Sequence, residues 1–461
     1  GSYYTPHYIV EYIVEQTLGP IVEERITQFE TAMERIAEIK GPGDSETPGV
    51  QAKLDAPRRQ ALDAFFTVRV CDPAMGSGHF LVYAADYLAE RFAQVLGRYP
   101  DHNPVTERLD AIRQQILQEL DRQAIDTEAI RAEGRLRDTS LLKRLVMKRC
   151  IYGVDLNPMA VELAKLSLWL HSFTVGAPLS FLDHHLKAGN SLIGTDVDTV
   201  VDAIQADLFG NIRGEILRGT KFLQDAAFNT DATLSDVEDS ARAFRAYQDK
   251  MQPYKRLLDL WTAQHFGHPM GRTLVRDYAR EVIDAYRRGN GAIVEKQGDT
   301  VRAAERLADA KQFFHWPLEF PEVFCELDPP GERANPGFDA VIGNPPYGYR
   351  VTGEIDDYMD KTLGKAQSEN IAEYFVEKCF DVVNQSLRWG MIIPKQVLHT
   401  PTWSDVRTTI QNDTIFVKTV ANVSEAFDKV LLEQVVVHAS AEETNRVRVG
   451  RIIDGETDDS Y

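Results

Sequence analysis

The chain has 461 residues, 43% of them hydrophobic and 26% charged, which is ample material for one or more folded cores. No apolar run approaches the roughly 18 to 20 residues needed to cross a bilayer. The N-terminus lacks a basic-then-apolar signal pattern, so a cytoplasmic protein is expected. The formal charge of −19 is awkward for phosphate binding, which rests on clustered Lys and Arg: either no nucleic acid is bound, or the basic part lies elsewhere. Cys71, Cys150, Cys325 and Cys379 show no C-x-x-C spacing and read as reduced, mostly buried thiols.

In chain order, residues 3–40 read as one or two helices, with apolar positions at helical spacing behind Thr5-Pro6, an N-cap and first-turn pair. A Gly/Pro-rich linker is expected from Gly41 to Gly49. Thr67 to Cys71 is a short buried strand running into Asp72-Pro73-Ala74-Met75-Gly76-Ser77-Gly78, and a helix from about His79 to Leu96 follows. Residues 105–148 are charged and helical. Ile151 to Asp155 is a second strand, Pro158 to Phe173 a helix, and Leu186 to Asn190 a weak third strand. Residues 200–312 are amphipathic and helical throughout, an added subdomain with no obvious chemistry. Phe338 to Gly343 is a fourth strand ending at Asn344-Pro345-Pro346-Tyr347. After it come a helix at Ile371–Val383 and strands at Trp389–Pro394, Ile415–Val420 and Leu431–His438. Such alternation predicts a mostly parallel sheet with helices on both faces. The basic groups Lys143-Arg144 with Lys148-Arg149, and Arg287-Arg288, read as solvated helix faces. Gly1-Ser2 before a motif-like stretch, and an end at Tyr461 without a closing element, suggest a domain of a larger protein.

Two places carry chemistry. A glycine loop between a strand and a helix can press its backbone against a ligand at the carboxyl edge of a parallel sheet. Its spacing is neither G-x-G-x-x-G nor a phosphate loop. Asp155, ending the neighbouring strand, can accept from ribose hydroxyls, or it can cap the helix beginning near Pro158. Asn190 can meet an adenine edge, or its Gly-Asn pair is simply a turn. The other place is Asn344-Pro345-Pro346-Tyr347. An exocyclic amine is a poor nucleophile because its lone pair is delocalised into the ring. The Asn344 side-chain oxygen and the Pro345 carbonyl can accept its two hydrogens, held by two prolines that bring no competing N–H. Tyr347 can stack on an extruded base. The bland alternative is a polyproline turn with a surface tyrosine.

Gly-Ser-Tyr-Tyr-Thr-Pro, D-P-A-M-G-S-G-H-F, V-D-L-N-P, G-N-S-L, the aromatic run Phe314 to Phe324 and G-N-P-P-Y occur here in one order. Together they resemble the gamma-class adenine-N6 DNA methyltransferases, in particular those of type IIG restriction-modification systems and of BREX and DISARM phage defence. The resemblance covers most of the chain except residues 97–148 and 200–312. It implies a Rossmann-like S-adenosylmethionine-dependent methyltransferase fold with a mostly parallel seven-stranded sheet and helical insertions.

The implied organisation is an N-terminal helical segment with the Thr-Pro motif and linker (1–50), a cofactor half (51–199) with an insertion at about 97–148, a helical insertion (200–312) and a catalytic half (313–461). Thr5 would contact the methionine carboxylate of the cofactor. Asp72, with the loop of Pro73, Ala74, Gly76 and Gly78, would hold its amino-acid end, Asp155 its ribose and Asn190 its adenine. Asn344, Pro345, Pro346 and Tyr347 would be catalytic, and Phe427 would be a second aromatic for the flipped base. No metal is implied. Double-stranded DNA is the expected substrate, with target recognition supplied from outside the chain in a bacterial or archaeal cytoplasm. Asn190 departs from the Asp common in the class. A glutamine-N5 protein methyltransferase and a non-catalytic, cofactor-binding scaffold are the competing readings.

Overall fold

In a computed structural model, the structure describes residues 5–458 apart from 41–46, 124–135, most of 205–228, 268–274, 282–297, 328–329, 349–351, 364–369, 411–415, 424–432, 443–447 and 454–455. The chain opens with a single long helix, α1 (His7–Ile39), followed by α2 (Pro48–Phe66). Thr47 caps α2 by accepting from the Val50 amide, and Pro48 sits in its first turn, where a missing N–H costs nothing. The linker expected to run to Gly49 therefore ends earlier. Thr5 does not cap α1: the cap position is Pro6, without a side-chain bond.

Strand β1 (Val70–Asp72) leads through the glycine loop into α3 (His79–Leu96), then α4 (Pro104–Arg122) and α5 (Asp138–Cys150). Next come β2 (Ile151–Asp155), α6 (Pro158–His171) and β3 (Leu186–Ala188). The insertion supplies α7 (Val197–Ile204), α8 (Leu234–Ala263) and α9 (Gly298–Lys311). The small hairpin β4 (Cys325–Leu327) and β5 (Pro330–Glu332) precedes β6 (Ala340–Gly343), α10 (Glu354–Thr362), α11 (Ile371–Val382), β7 (Trp389–Pro394) and α12 (Ser404–Ile410). Strands β8 (Phe416–Asn422), β9 (Gln434–Ser440), β10 (Arg448–Ile453) and β11 (Glu456–Asp458) follow.

The main sheet runs β3-β2-β1-β6-β7-β9-β8-β10-β11. Pairings from β3 through β7 are parallel, and β9 is antiparallel to both neighbours. The seven strands expected from the sequence are all present. Two more, β10 and β11, extend the β8 edge, in a stretch whose short alternation was too weak to read.

Side chains alternate between two cores, as the pleat requires. Val70, Ile151, Ile342, Ile392 and Val436 face a core shared with α1, α3, α4 and α5. Cys71, Tyr152, Val341, Met391 and Val437 face the opposite core, with Phe314, Trp316, Phe320 and α11. The fold is thus Rossmann-like, with helices on both faces and helical insertions. Helix α6 buries Val161, Ala164 and Leu168 while Met159, Leu163, Leu166 and Leu170 are exposed.

Topology positions the site. From β1 the chain moves outward through β2 to β3, then returns to the other side of β1 as β6. The loops leaving β1 and β6 therefore diverge, and an open parallel sheet binds ligands outside its carboxyl edge at such a switch point.

Candidate active site

Both loops at this switch point are the motifs singled out in the sequence. Asp72 is the last residue of β1, 1% exposed, and its Oδ1 accepts from the Ala74 amide at 3.0 Å. Burial, with a smaller push from the charge of Asp155, lifts its carboxyl to about 8, while the Ala74 bond opposes the rise. Across the crevice, Gly343 ends β6, and a Cβ there would lie 2.7 Å from Asp72 Oδ1. Only glycine lets the two strand ends approach so closely, which accounts for the first letter of G-N-P-P-Y.

The glycine loop is stitched to β2. The Met75 amide donates to the Val154 carbonyl at 3.0 Å, and the Gly76 amide donates to Asp155 Oδ2 at 2.9 Å. Gly76 and Gly78 both have positive φ, +53° and +82°, and Gly78 begins α3. Asp155 also accepts from the Asn157 amide at 2.8 Å. The cap of α6 is Asn157, which accepts from the Met159 amide, so the capping role considered for Asp155 belongs two residues later. Each Asp155 oxygen keeps a further lone pair for a ligand.

Asn190 follows β3. The Gly189 amide donates to the Asp155 carbonyl at 3.0 Å, and Asn190 Oδ1 accepts from the Leu192 amide at 3.1 Å. Ser191, which sequence reasoning passed over, donates through its hydroxyl to the Pro73 carbonyl and so ties this loop to the glycine loop.

Asn344 begins the loop after β6, with Pro345 buried and Pro346 and Tyr347 half-buried. The Tyr347 ring packs against the core that holds Trp316 and Trp389. Asn344 Nδ2 donates to Thr5 Oγ1 at 3.2 Å, so the residue expected to cap a helix meets the Asn-Pro-Pro-Tyr loop from 339 positions away. Thr5 itself is buried. Asn344 Oδ1 is buried and accepts no hydrogen bond among the described residues. Leaving a buried acceptor unpaired costs about 1–3 kcal/mol.

The structure therefore gathers Thr5, Asp72, Pro73, Ala74, Gly76, Gly78, Asp155, Asn190 and the Asn344 loop along one sheet edge. Phe427 lies outside the described residues. Among the described residues no group of His, Cys, Asp and Glu has metal-binding geometry, and no helix is long and apolar enough to cross a membrane. The basic pairs read as solvated need correction: Arg144 and Lys148 are buried, the Lys148 ammonium meeting Asp231 at 2.6 Å. The second pair, Arg287-Arg288, is outside the described residues.

The model of the Eco57I restriction-modification methylase family matches residues 149–427, and that of the MmeI DNA-methyltransferase domain matches residues 51–190. A Methanocaldococcus jannaschii protein described as a type II restriction enzyme and methyltransferase, RM.MjaORFECS2P, is 25% identical over 395 residues, covering 78% of this chain. The chain spans 29% of that relative's length. Solved structures overlay loosely. The M protein of the type I restriction enzyme EcoKI has a TM-score of 0.33 at 12% identity, covering 92% of this chain and 59% of the other. A nuclease-deletion mutant of the Type ISP enzyme LlaGI, in complex with a DNA substrate mimic, has a TM-score of 0.38 at 9% identity, covering 98% and 27%. With a family model spanning more than half of its length, the chain belongs to the Eco57I restriction-modification methylases.

Proposed function

We propose that this domain transfers a methyl group from S-adenosylmethionine to the N6 amine of an adenine swung out of double-stranded DNA. The observation that carries the reading is the unpaired, buried Asn344 Oδ1 beside the Asp72 end of β1. It is an acceptor aimed at nothing within the described chain, and an amino group is the partner it lacks.

The residues along the edge fit the cofactor's parts. Asp72 offers a buried carboxylate for an ammonium, and positive charge there would draw its proton away. The Gly76 and Gly78 backbone leaves room for the methionine portion, and Asp155 has lone pairs for ribose hydroxyls. Asn190 offers an amide to an adenine edge. When bound, the cofactor supplies a methyl electrophile on a sulfonium.

The chain's own part is positioning. Asn344 Oδ1 and the Pro345 carbonyl accept the two amine hydrogens, which turns the nitrogen lone pair out of the ring plane and toward the methyl carbon. Thr5, holding Asn344 Nδ2, fixes which way the amide faces. Tyr347 is suited to stack on the base. The surplus amine proton can pass to water after transfer, so no strong base is required.

The acidic balance of −19 fits a domain whose grip on DNA comes from elsewhere. We assign sequence reading to a target-recognition domain beyond this chain, in a bacterial or archaeal restriction-modification or phage-defence system. The test is methylation with methyl-labelled S-adenosylmethionine, using DNA or a glutamine-bearing protein as acceptor, followed by digestion and mass spectrometry. N6-methyladenine is expected. N5-methylglutamine, or label at cytosine, would overturn the assignment.

A further inference from the structure

The loop after β3 is held from outside the sheet at almost every residue. The Asn190 amide donates to the Gln312 carbonyl at 2.7 Å, and the Phe314 amide donates to the Ile193 carbonyl at 2.7 Å. The Trp316 indole N–H donates to the Ser191 carbonyl at 3.0 Å. The Tyr358 hydroxyl, on α10, donates to the Gly194 carbonyl at 2.6 Å and accepts from the Gly194 amide at 3.0 Å. Gly194 lies so close to the crossing segment that a Cβ there would sit 1.9 Å from the Phe314 carbonyl oxygen.

The loop ends on a histidine. His315 Nδ1 lies 3.0 Å from the Thr195 amide, from which it can accept, and 3.2 Å from the Thr195 carbonyl, while Nε2 meets Asp259 Oδ1 at 2.9 Å. His315 is fully buried and Asp259 is 4% exposed. Burial pushes the Asp259 carboxyl up, but the bonds and charges of His315 and Lys255 outweigh it and hold it below its ordinary value. Asp259 stands on α8, within the insertion whose sequence displayed no chemistry.

We propose that Asp259 and His315 are positioning residues for the adenine end of the cofactor, so that the helical insertion sets the affinity of the loop 190–195. This rests on the assignment of that loop to the cofactor. A carboxylate anchored on a 30-residue helix fixes the imidazole, the imidazole fixes Thr195, and the loop is left one conformation in which Asn190 faces the crevice. The insertion is thereby wired to the methyltransferase half through a polar relay as well as through packing.

The experiment measures binding of S-adenosylhomocysteine and of 5′-methylthioadenosine, which lacks the amino-acid end, by calorimetry, with a thermal melt of each unliganded variant. His315→Phe keeps a ring and removes both bonds, and His315→Asn restores an acceptor toward Thr195. His315→Phe is expected to weaken both ligands by about tenfold, and His315→Asn to recover most of that. In turnover, KM for S-adenosylmethionine rises while kcat stays within about twofold; a purely architectural role would lower the melting temperature and leave KM unmoved. Should His315→Phe fail to fold, Tyr358→Phe deletes a single hydroxyl from the same loop and is expected to weaken both ligands about threefold.

Wild-type affinity in a folded His315→Phe, or in Tyr358→Phe where the former does not fold, overturns the proposal. Asn190→Ala separates the two layers. If it weakens binding and His315→Phe does not, the relay falls alone. If His315→Phe weakens binding and Asn190→Ala does not, the relay stands and the adenine contact of the Asn190 side chain falls. If neither does, both fall.

Discussion

The switch-point crevice and the helical insertion treat buried polar groups in opposite ways. At the crevice, Asn344 Oδ1 is left without a donor among the described residues, and Asp72 has one backbone bond for a carboxylate that is 1% exposed. At the insertion, Asp231 is fully buried yet takes Lys148 and Ser240 on one oxygen and the Phe181 amide on the other. Arg144 donates to the Asp231 and Pro178 carbonyls. Both oxygens of the buried Asp231 are thus satisfied within the fold, whereas Asn344 Oδ1 has no donor among the described residues.

The sharpest break of this comparison is Asn344→Ala. It removes the open acceptor together with the amide that donates to Thr5, so methyl transfer should fall by roughly 10²- to 10³-fold while S-adenosylhomocysteine affinity falls far less. Calorimetry and methyl-label counting read the two. Asp231→Ala should do the reverse. Stranding Lys148 in the interior costs about 3–5 kcal/mol, seen as a lowered denaturation midpoint, and the double variant Lys148→Met/Asp231→Leu should recover much of it. Gly194→Ala presses a methyl on the Phe314 carbonyl where insertion and crevice meet, and about 1–3 kcal/mol of stability should be lost.

The last effect is a pH dependence. The Asp72 carboxyl, at about 8 in the fold against an ordinary 3.8, holds its proton where the unfolded chain has lost it. Its contribution to stability is therefore whole below about pH 4 and is lost as pH rises toward 8. Binding an ammonium favours the opposite form, so S-adenosylmethionine affinity should climb from pH 6 to 8, and Asp72→Asn should flatten that climb.

Much of the crevice was legible because its signals are local. A strand that runs into a glycine-bearing turn, or stops at two prolines, announces an edge within ten residues. The Thr5–Asn344 bond spans 339 positions, and the local pattern of Thr5-Pro6 before a helix gave it the wrong role. The pairs at 143–149 were misread for the same reason: helical periodicity locates a charge on a face, but what covers that face, here Asp231 some 83 residues on from Lys148, is a tertiary fact. The aromatic run from Phe314 was seen as a motif without a task. Its task is contact with the loop 190–195, to which no single-sequence periodicity points. Strands β10 and β11, at the far end of the sheet, were passed over, as the weakest period-2 signals are.

The central claim is geometric, and a structure of the chain with sinefungin, a cofactor mimic carrying an amine in place of the transferable methyl, tests it most directly. The account predicts the ligand's amino-acid end at Asp72, its ribose at Asp155 and its adenine by Asn190, with the amine that replaces the methyl turned toward Asn344. A ligand seated away from β1 and β2, or with that amine facing away from the Asn344 loop, would contradict it.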